Sequence, residues 1–180
     1  MNLPINQLYS IVRFLDGVSE WVGRVVSWLV LLMVVIIFYD VGMRYIFLQG
    51  SVALQELEWH LFALLFLLGA GYTLKHDDHV RVDVLYRSKY ISTRHRIWIN
   101  LLGGLLLLLP FCILVIVSSW PFVYSAYQFS EGSPDPGGLP YRFLIKAIIP
   151  LGFTLLLLQG VASILRNLLA LISNNHTEAG

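Results

Sequence analysis

A chain of 180 residues that is 57% hydrophobic and 13% charged cannot cover its apolar surface as a water-soluble domain of that size. Its net charge of +1 offers nothing to a nucleic acid or to a strongly acidic partner. A single cysteine, Cys112, excludes an intramolecular disulfide and any CxxC motif, and with them a membrane thiol oxidoreductase.

The predicted class is therefore an all-α integral membrane protein with four transmembrane helices and short interfacial helices, in one domain over residues 1–180. Residues 1–20 carry Leu8, Ile11, Val12, Leu15 and Val18 at helical spacing, with Arg13, Asp16 and Glu20 between them. That pattern predicts a short amphipathic helix lying along the interface. It does not read as a cleaved signal, because the apolar run after Arg24 is too long and no small-x-small site follows it. The first span is expected at roughly 18–47. Only 15 residues separate Arg24 from Asp40, so the helix must run past one or both charges, with Arg24 snorkelling and Asp40 paired four residues on with Arg44.

Gln49-Gly50-Ser51 reads as a turn, with Ser51 the candidate N-cap of a second span at roughly 53–75. Gly69-Ala70-Gly71 in that span is a small-residue patch of the kind that lets a neighbouring helix come close. A charged segment, roughly 75–96, follows and holds six of the twelve Lys and Arg residues. It is read as a brief interfacial helix ending before Ser92. The third span, roughly 93–129, carries no formal charge from Ile97 to Ser130, and Pro110 should bend it. Glu131 to Gly138 is a loop by its Gly, Pro, Ser and Asp content. Pro140 suits the first turn of a fourth span at roughly 141–173, with a second proline, Pro150, inside it and a polar tail after Ser173.

Orientation follows from counting cations. Both termini placed in the cytoplasm put nine Lys and Arg on that side and three, Arg44, Arg142 and Lys146, on the other. Trp21 and Trp98 then fall at the inner interface, and Trp59 and Trp120 at the outer one.

Chemistry is sparse. The centre of each span holds no Asp, Glu, Lys or Arg, which argues against an autonomous ion-coupled carrier and against a membrane enzyme. His76-Asp77-Asp78-His79 is a possible divalent-metal cluster, weighed against a solvated loop. His60 alone lacks the further histidines a haem subunit needs. Glu56 and Glu58 are the best candidates for a transport carboxylate, against the plainer role of first-turn acids favoured by the helix dipole. Gln159 is the one strongly polar residue deep in the fourth span, suited to a bond across helices or, less simply, to a substrate. Three function classes follow: a scaffold subunit, a small self-assembling multidrug-type exporter using Glu56 or Glu58, and a structural subunit of a redox complex.

Several segments carry a resemblance. Arg44-Tyr45, Glu56-Leu57-Glu58, the run Leu68 to Leu74 and the run His79 to Leu85 come in order. Gly138-Leu139-Pro140, Lys146, Pro150 to Phe153 and Leu158-Gln159 follow. Together, over about residues 20–170, they resemble the small membrane subunit of tripartite ATP-independent periplasmic (TRAP) transporters, the DctQ family. The closing segment is more similar to the branch associated with keto acids and other carboxylates than to the sialic acid branch. The resemblance implies a non-catalytic subunit of the bacterial inner membrane without cofactor. Its implied partners are a large multi-span membrane subunit that moves sodium and substrate, a periplasmic substrate-binding protein and membrane lipids, with no nucleic acid. It implies no catalytic, substrate or metal residue. Partner-facing or structural candidates are Asp40, Arg44, Glu56, Glu58, His79, Asp83, Glu131, Asp135, Arg142 and Gln159.

Overall fold

A computed structural model describes residues 5–76 and 92–177. Helix α1 spans Ile5–Ile46 and α2 spans Val52–Lys75. The third long helix is built from α3, Thr93–Gly103, a π-helical turn at Gly104–Leu108 and α4, Leu109–Gln128. Helix α5 runs Phe143–Thr177. No strand occurs among the described residues, and four helices are long and apolar enough to cross a membrane.

Three expectations need correction. The N-terminal amphipathic helix is not separate: α1 is continuous over 42 residues, about 63 Å at 1.5 Å per residue. Its sequence contains no proline to break the ladder, and the glycines at 17 and 23 lower helix propensity without ending it. Pro140 does not open α5, which begins at Phe143 because Tyr141 sits at φ +61°, outside the helical region. The polar residues after Ser173 do not end α5 either; it continues to Thr177 with no helix breaker in the way. The interfacial helix expected before Ser92 lies outside the described residues.

Local chemistry explains the other boundaries. Leu48 at φ +52° turns the chain out of α1, and the Gln49 N–H caps the Met43 carbonyl at 3.0 Å. Ser51 is extended (φ −120°) and its hydroxyl accepts from the Leu54 N–H at 3.4 Å, which starts α2. The ring of Pro110 would strike the carbonyl four residues earlier in a regular α-helix. A π-helical turn ending two residues before Pro110 loosens the ladder there.

Helix α5 is the hub, packing against α1, α2, α3 and α4. Its glycines permit this. A Cβ added at Gly152 would stand 2.8 Å from the Leu67 carbonyl oxygen, and one at Gly160 would stand 2.8 Å from Leu108 Cδ2. The usual distribution of side chains is inverted. Gln159, Asp40 and Cys112 are the largest fully buried side chains, while Phe38 (81% exposed), Trp28 and Leu107 face outward. Only a hydrocarbon solvent makes that arrangement favourable.

Gly152→Ala should force α2 and α5 apart and cost about 1–3 kcal/mol, by the overpacking rule. Gly69→Ala, with nothing within 4 Å of its new methyl, should cost nothing. Thermal unfolding of the purified chain in detergent measures both; equal midpoints for the two variants would contradict the α2–α5 contact.

Candidate functional site

The polar side chains gather in two layers, one at each end of the bundle. At the end that carries the 129–142 loop, the centre is Glu56, one turn inside α2 and 6% exposed. One carboxylate oxygen accepts from the Ser133 hydroxyl and the other from the Leu139 N–H at 2.6 Å. Glu56 thus holds the loop rather than the helix dipole: α2 has no acid in its first turn.

The loop is built to present those donors. Ser133 N–H donates to the Leu139 carbonyl at 3.1 Å, closing the loop on itself. Inside it the Gly138 N–H donates to the Asp135 carbonyl at 3.1 Å, with Pro136 and Gly137 between them. Pro136 supplies the fixed φ of the second turn position, and Gly137 adopts the φ of +81° that a type II turn needs at the third. At the loop's base the Arg142 N–H donates to the Glu131 carbonyl at 2.9 Å. Lys146 pairs with the Glu131 carboxylate and lies over the Phe122 ring, 3.9 Å from its centroid. Asp135 is exposed, and its side chain has no bonded partner among the described residues.

Asp40, 1% exposed, pairs through one oxygen with Arg44 four residues on. Its other oxygen, and Oε1 of Glu58, are buried without a hydrogen-bond partner among the described residues. His60 Nδ1 donates to the Glu56 main-chain carbonyl and its ring packs on Trp59, an ordinary local arrangement rather than a ligand geometry.

At the other end, Gln159 is fully buried in α5 and bonds across to α1. It accepts from the Ser19 hydroxyl at 2.5 Å and its Nε2 donates to Asp16 at 2.9 Å. Arg166 donates to both Asp16 oxygens at 2.7 and 2.8 Å. Beside this set, Glu20 gathers Lys75 (2.5 Å), His76 (3.0 Å) and Arg24 (3.1 Å), tying α1 to the end of α2.

The spacing of the layers is a membrane dimension. Glu20 and Asp40 are 20 residues apart on α1, and Lys146 and Arg166 are 20 apart on α5, about 30 Å in each case. Glu58 and Lys75 are 17 apart on α2, about 26 Å. A hydrocarbon core is about 30 Å thick. No Asp, Glu or Lys stands between the layers on these helices, and only Arg24, one turn beyond Glu20 with a side chain 76% exposed, extends inward.

Of the residues singled out from the sequence, Glu56, Glu131, Arg142 and Asp135 are brought together around one loop, with Asp40, Arg44 and Glu58 at the same end. Gln159 belongs to the opposite layer. His79 and Asp83 lie outside the described residues, as do Asp77, Asp78 and any metal reading of that cluster. Among the described residues, no three His, Cys, Asp or Glu side chains come together as a metal site would require. Sequence reasoning missed Ser133, and it assigned Asp16 and Glu20 to a solvated helix face. Their own segment holds no signal for the latter, because the partners Arg166 and Lys75 lie on other helices.

The described family "Tripartite ATP-independent periplasmic transporters, DctQ component" matches residues 33–170. The chain belongs to that family. A "C4-dicarboxylate TRAP transporter small permease protein" of Vibrio cholerae is 26% identical over 164 residues, covering 80% of this chain and 68% of that relative. No solved structure matches the chain. This DctQ-family subunit is thus a TRAP transporter small permease and a multi-pass membrane protein, which displaces the exporter and redox-complex readings.

Glu56→Ala should release the loop. Loss of a charge-assisted bond worth about 1.5–3 kcal/mol should speed hydrogen exchange at the Leu139 amide by about tenfold to a hundredfold. Exchange unchanged at Leu139 would contradict the anchoring role.

Proposed function

We propose that this chain is the non-catalytic scaffold subunit of its TRAP transporter. In this reading it sits in the bacterial inner membrane with both termini cytoplasmic. It enlarges the stationary part of a large subunit that moves sodium and substrate. Its 129–142 loop then faces the periplasm and helps seat the substrate-binding protein. The transported class is organic acids, in keeping with the C4-dicarboxylate named for the Vibrio relative.

The observation that carries this reading is where the charges are. A carrier that grips an ion within the bilayer holds an ionisable group there. Here the carboxylates stand in two layers about a hydrocarbon thickness apart, and most are already engaged with partners of the same chain. Glu56, one of the two carboxylates an exporter could titrate, has both oxygens committed to the loop. Asp135, free and exposed at the loop tip, is the group best placed to meet an incoming protein.

Reconstituted alone in liposomes under a sodium gradient, the chain should accumulate no C4-dicarboxylate. Sodium-driven uptake by this subunit without a partner contradicts the scaffold role. In the assembled transporter, Asp135→Lys should slow association of the binding protein by about tenfold at low salt, with less effect at high salt. An unchanged association rate removes the docking role from this loop.

A further inference from the structure

A second feature at the loop end is not used by that reading. Between α2, α4 and α5 lies a cleft of about 290 Å³. Its wall on α2 is Trp59, Ala63 and Leu67, three residues at successive helical turns. Its facing wall begins with the cations Arg142, just before α5, and Lys146 within it, and continues as Ile145 and Ile149. The cleft is thus polar and positive at one end and wholly apolar at the other. From Trp59 to Leu67 it runs about 12 Å along the helix, toward the middle of the span.

The two cations differ. Lys146 is neutralised by Glu131 and 14% exposed. Arg142 lies half-buried beside Trp59, its guanidinium carbon 5.9 Å from the ring centroid. Among the described residues, no hydrogen bond or ion pair reaches that guanidinium. One cation with no contact partner among the described residues, its charge felt by the nearby Glu56 carboxylate, therefore stands at the mouth of an apolar groove, next to a tryptophan at the end of a span, the depth at which headgroups lie. A soluble protein docking from above could meet the charge but could not enter the groove below it. A phospholipid has both parts in the right order: an anionic phosphate for Arg142 and an acyl chain for the groove.

We propose that this cleft is a binding site for one anionic phospholipid of the surrounding bilayer, with Arg142 holding the headgroup phosphate and Trp59, Ala63, Leu67 and Ile149 holding an acyl chain. The proposal needs only that the four helices cross a membrane and is independent of the scaffold and docking roles.

The test is native mass spectrometry of the full chain, delipidated in detergent and titrated with dioleoyl phosphatidylglycerol or dioleoyl phosphatidylcholine. The wild type should retain phosphatidylglycerol about tenfold better, the ratio expected for one charge-assisted contact. Arg142→Gln should abolish the preference. Ala63→Trp, which fills the groove and leaves Arg142 in place, should lower retention of both lipids, with helix content by circular dichroism showing that the chain is folded. Arg24→Gln, a cation of the opposite layer, should behave as the wild type. Equal retention of the two lipids by the wild type, or a preference that survives Arg142→Gln, overturns the proposal. Competition by soluble glycerol phosphate as effective as phosphatidylglycerol would reveal a headgroup site without a chain and overturn it too. So would an Ala63→Trp variant that binds lipid normally but no longer co-purifies with the large subunit, since the groove would then belong to a partner helix.

Discussion

Hydrocarbon disfavours an unpaired charge or an unsatisfied backbone group, and the helices and the placement of most charges in this molecule answer to that constraint. It explains why the described chain is helical and why the fully buried side chains include Asp40 and Gln159 while Phe38 and Trp28 face outward. It explains why charges gather in two layers about 30 Å apart on α1 and α5. In water such a bundle would be inside out. In a bilayer its apolar face costs nothing to expose, and the polar contacts between helices can hold it together without competition from solvent.

Those contacts are few and directional. Helix α5 meets the other helices and carries Gln159, whose amide fixes α1 against it through Ser19 and Asp16. Arg166 completes the Asp16 carboxylate from the exposed side, so the buried Gln159 amide is tied to an ion pair at the edge of the bundle. Glycines at the crossings let backbones approach, most closely at Gly152 against Leu67. At the opposite end Glu56 does for the loop what Gln159 does for the helices. The result is a rigid bundle with a fixed loop at one face, a form suited to positioning partners.

The fold was largely legible because its signals are long. Charge-free stretches such as Ile97 to Ser130, the Ser51 cap and the Gly-Pro loop each follow from composition or local sterics. Boundaries failed where local and tertiary preferences diverge. Asp16 and Glu20 looked like a wet helix face, since nothing in their own segment shows that Arg166 lies 150 residues away or Lys75 55 residues away. Pro140 looked like a helix start, and the left-handed Tyr141 next to it was not readable. Glu56 was visible as a carboxylate near the membrane, but its role depended on Ser133, 77 residues on. Sequence spacing reveals faces of one helix, whereas the site here is made by residues on different ones.

The central claim is that both polar layers lie at headgroup depth, with no Asp, Glu or Lys between them on α1, α2 and α5. It is tested most directly by spin-label depth measurement on the chain in lipid vesicles, with labels at Trp21, Leu31 and Val41, exposed positions that bracket α1. The native Cys112 is fully buried, so it should take no label. Accessibility to oxygen over a water-soluble nickel chelate should peak at Leu31 and fall at both Trp21 and Val41. A maximum at Val41, which adjoins Asp40, or at Trp21, which adjoins Glu20, would put a carboxylate layer in the hydrocarbon and contradict the account.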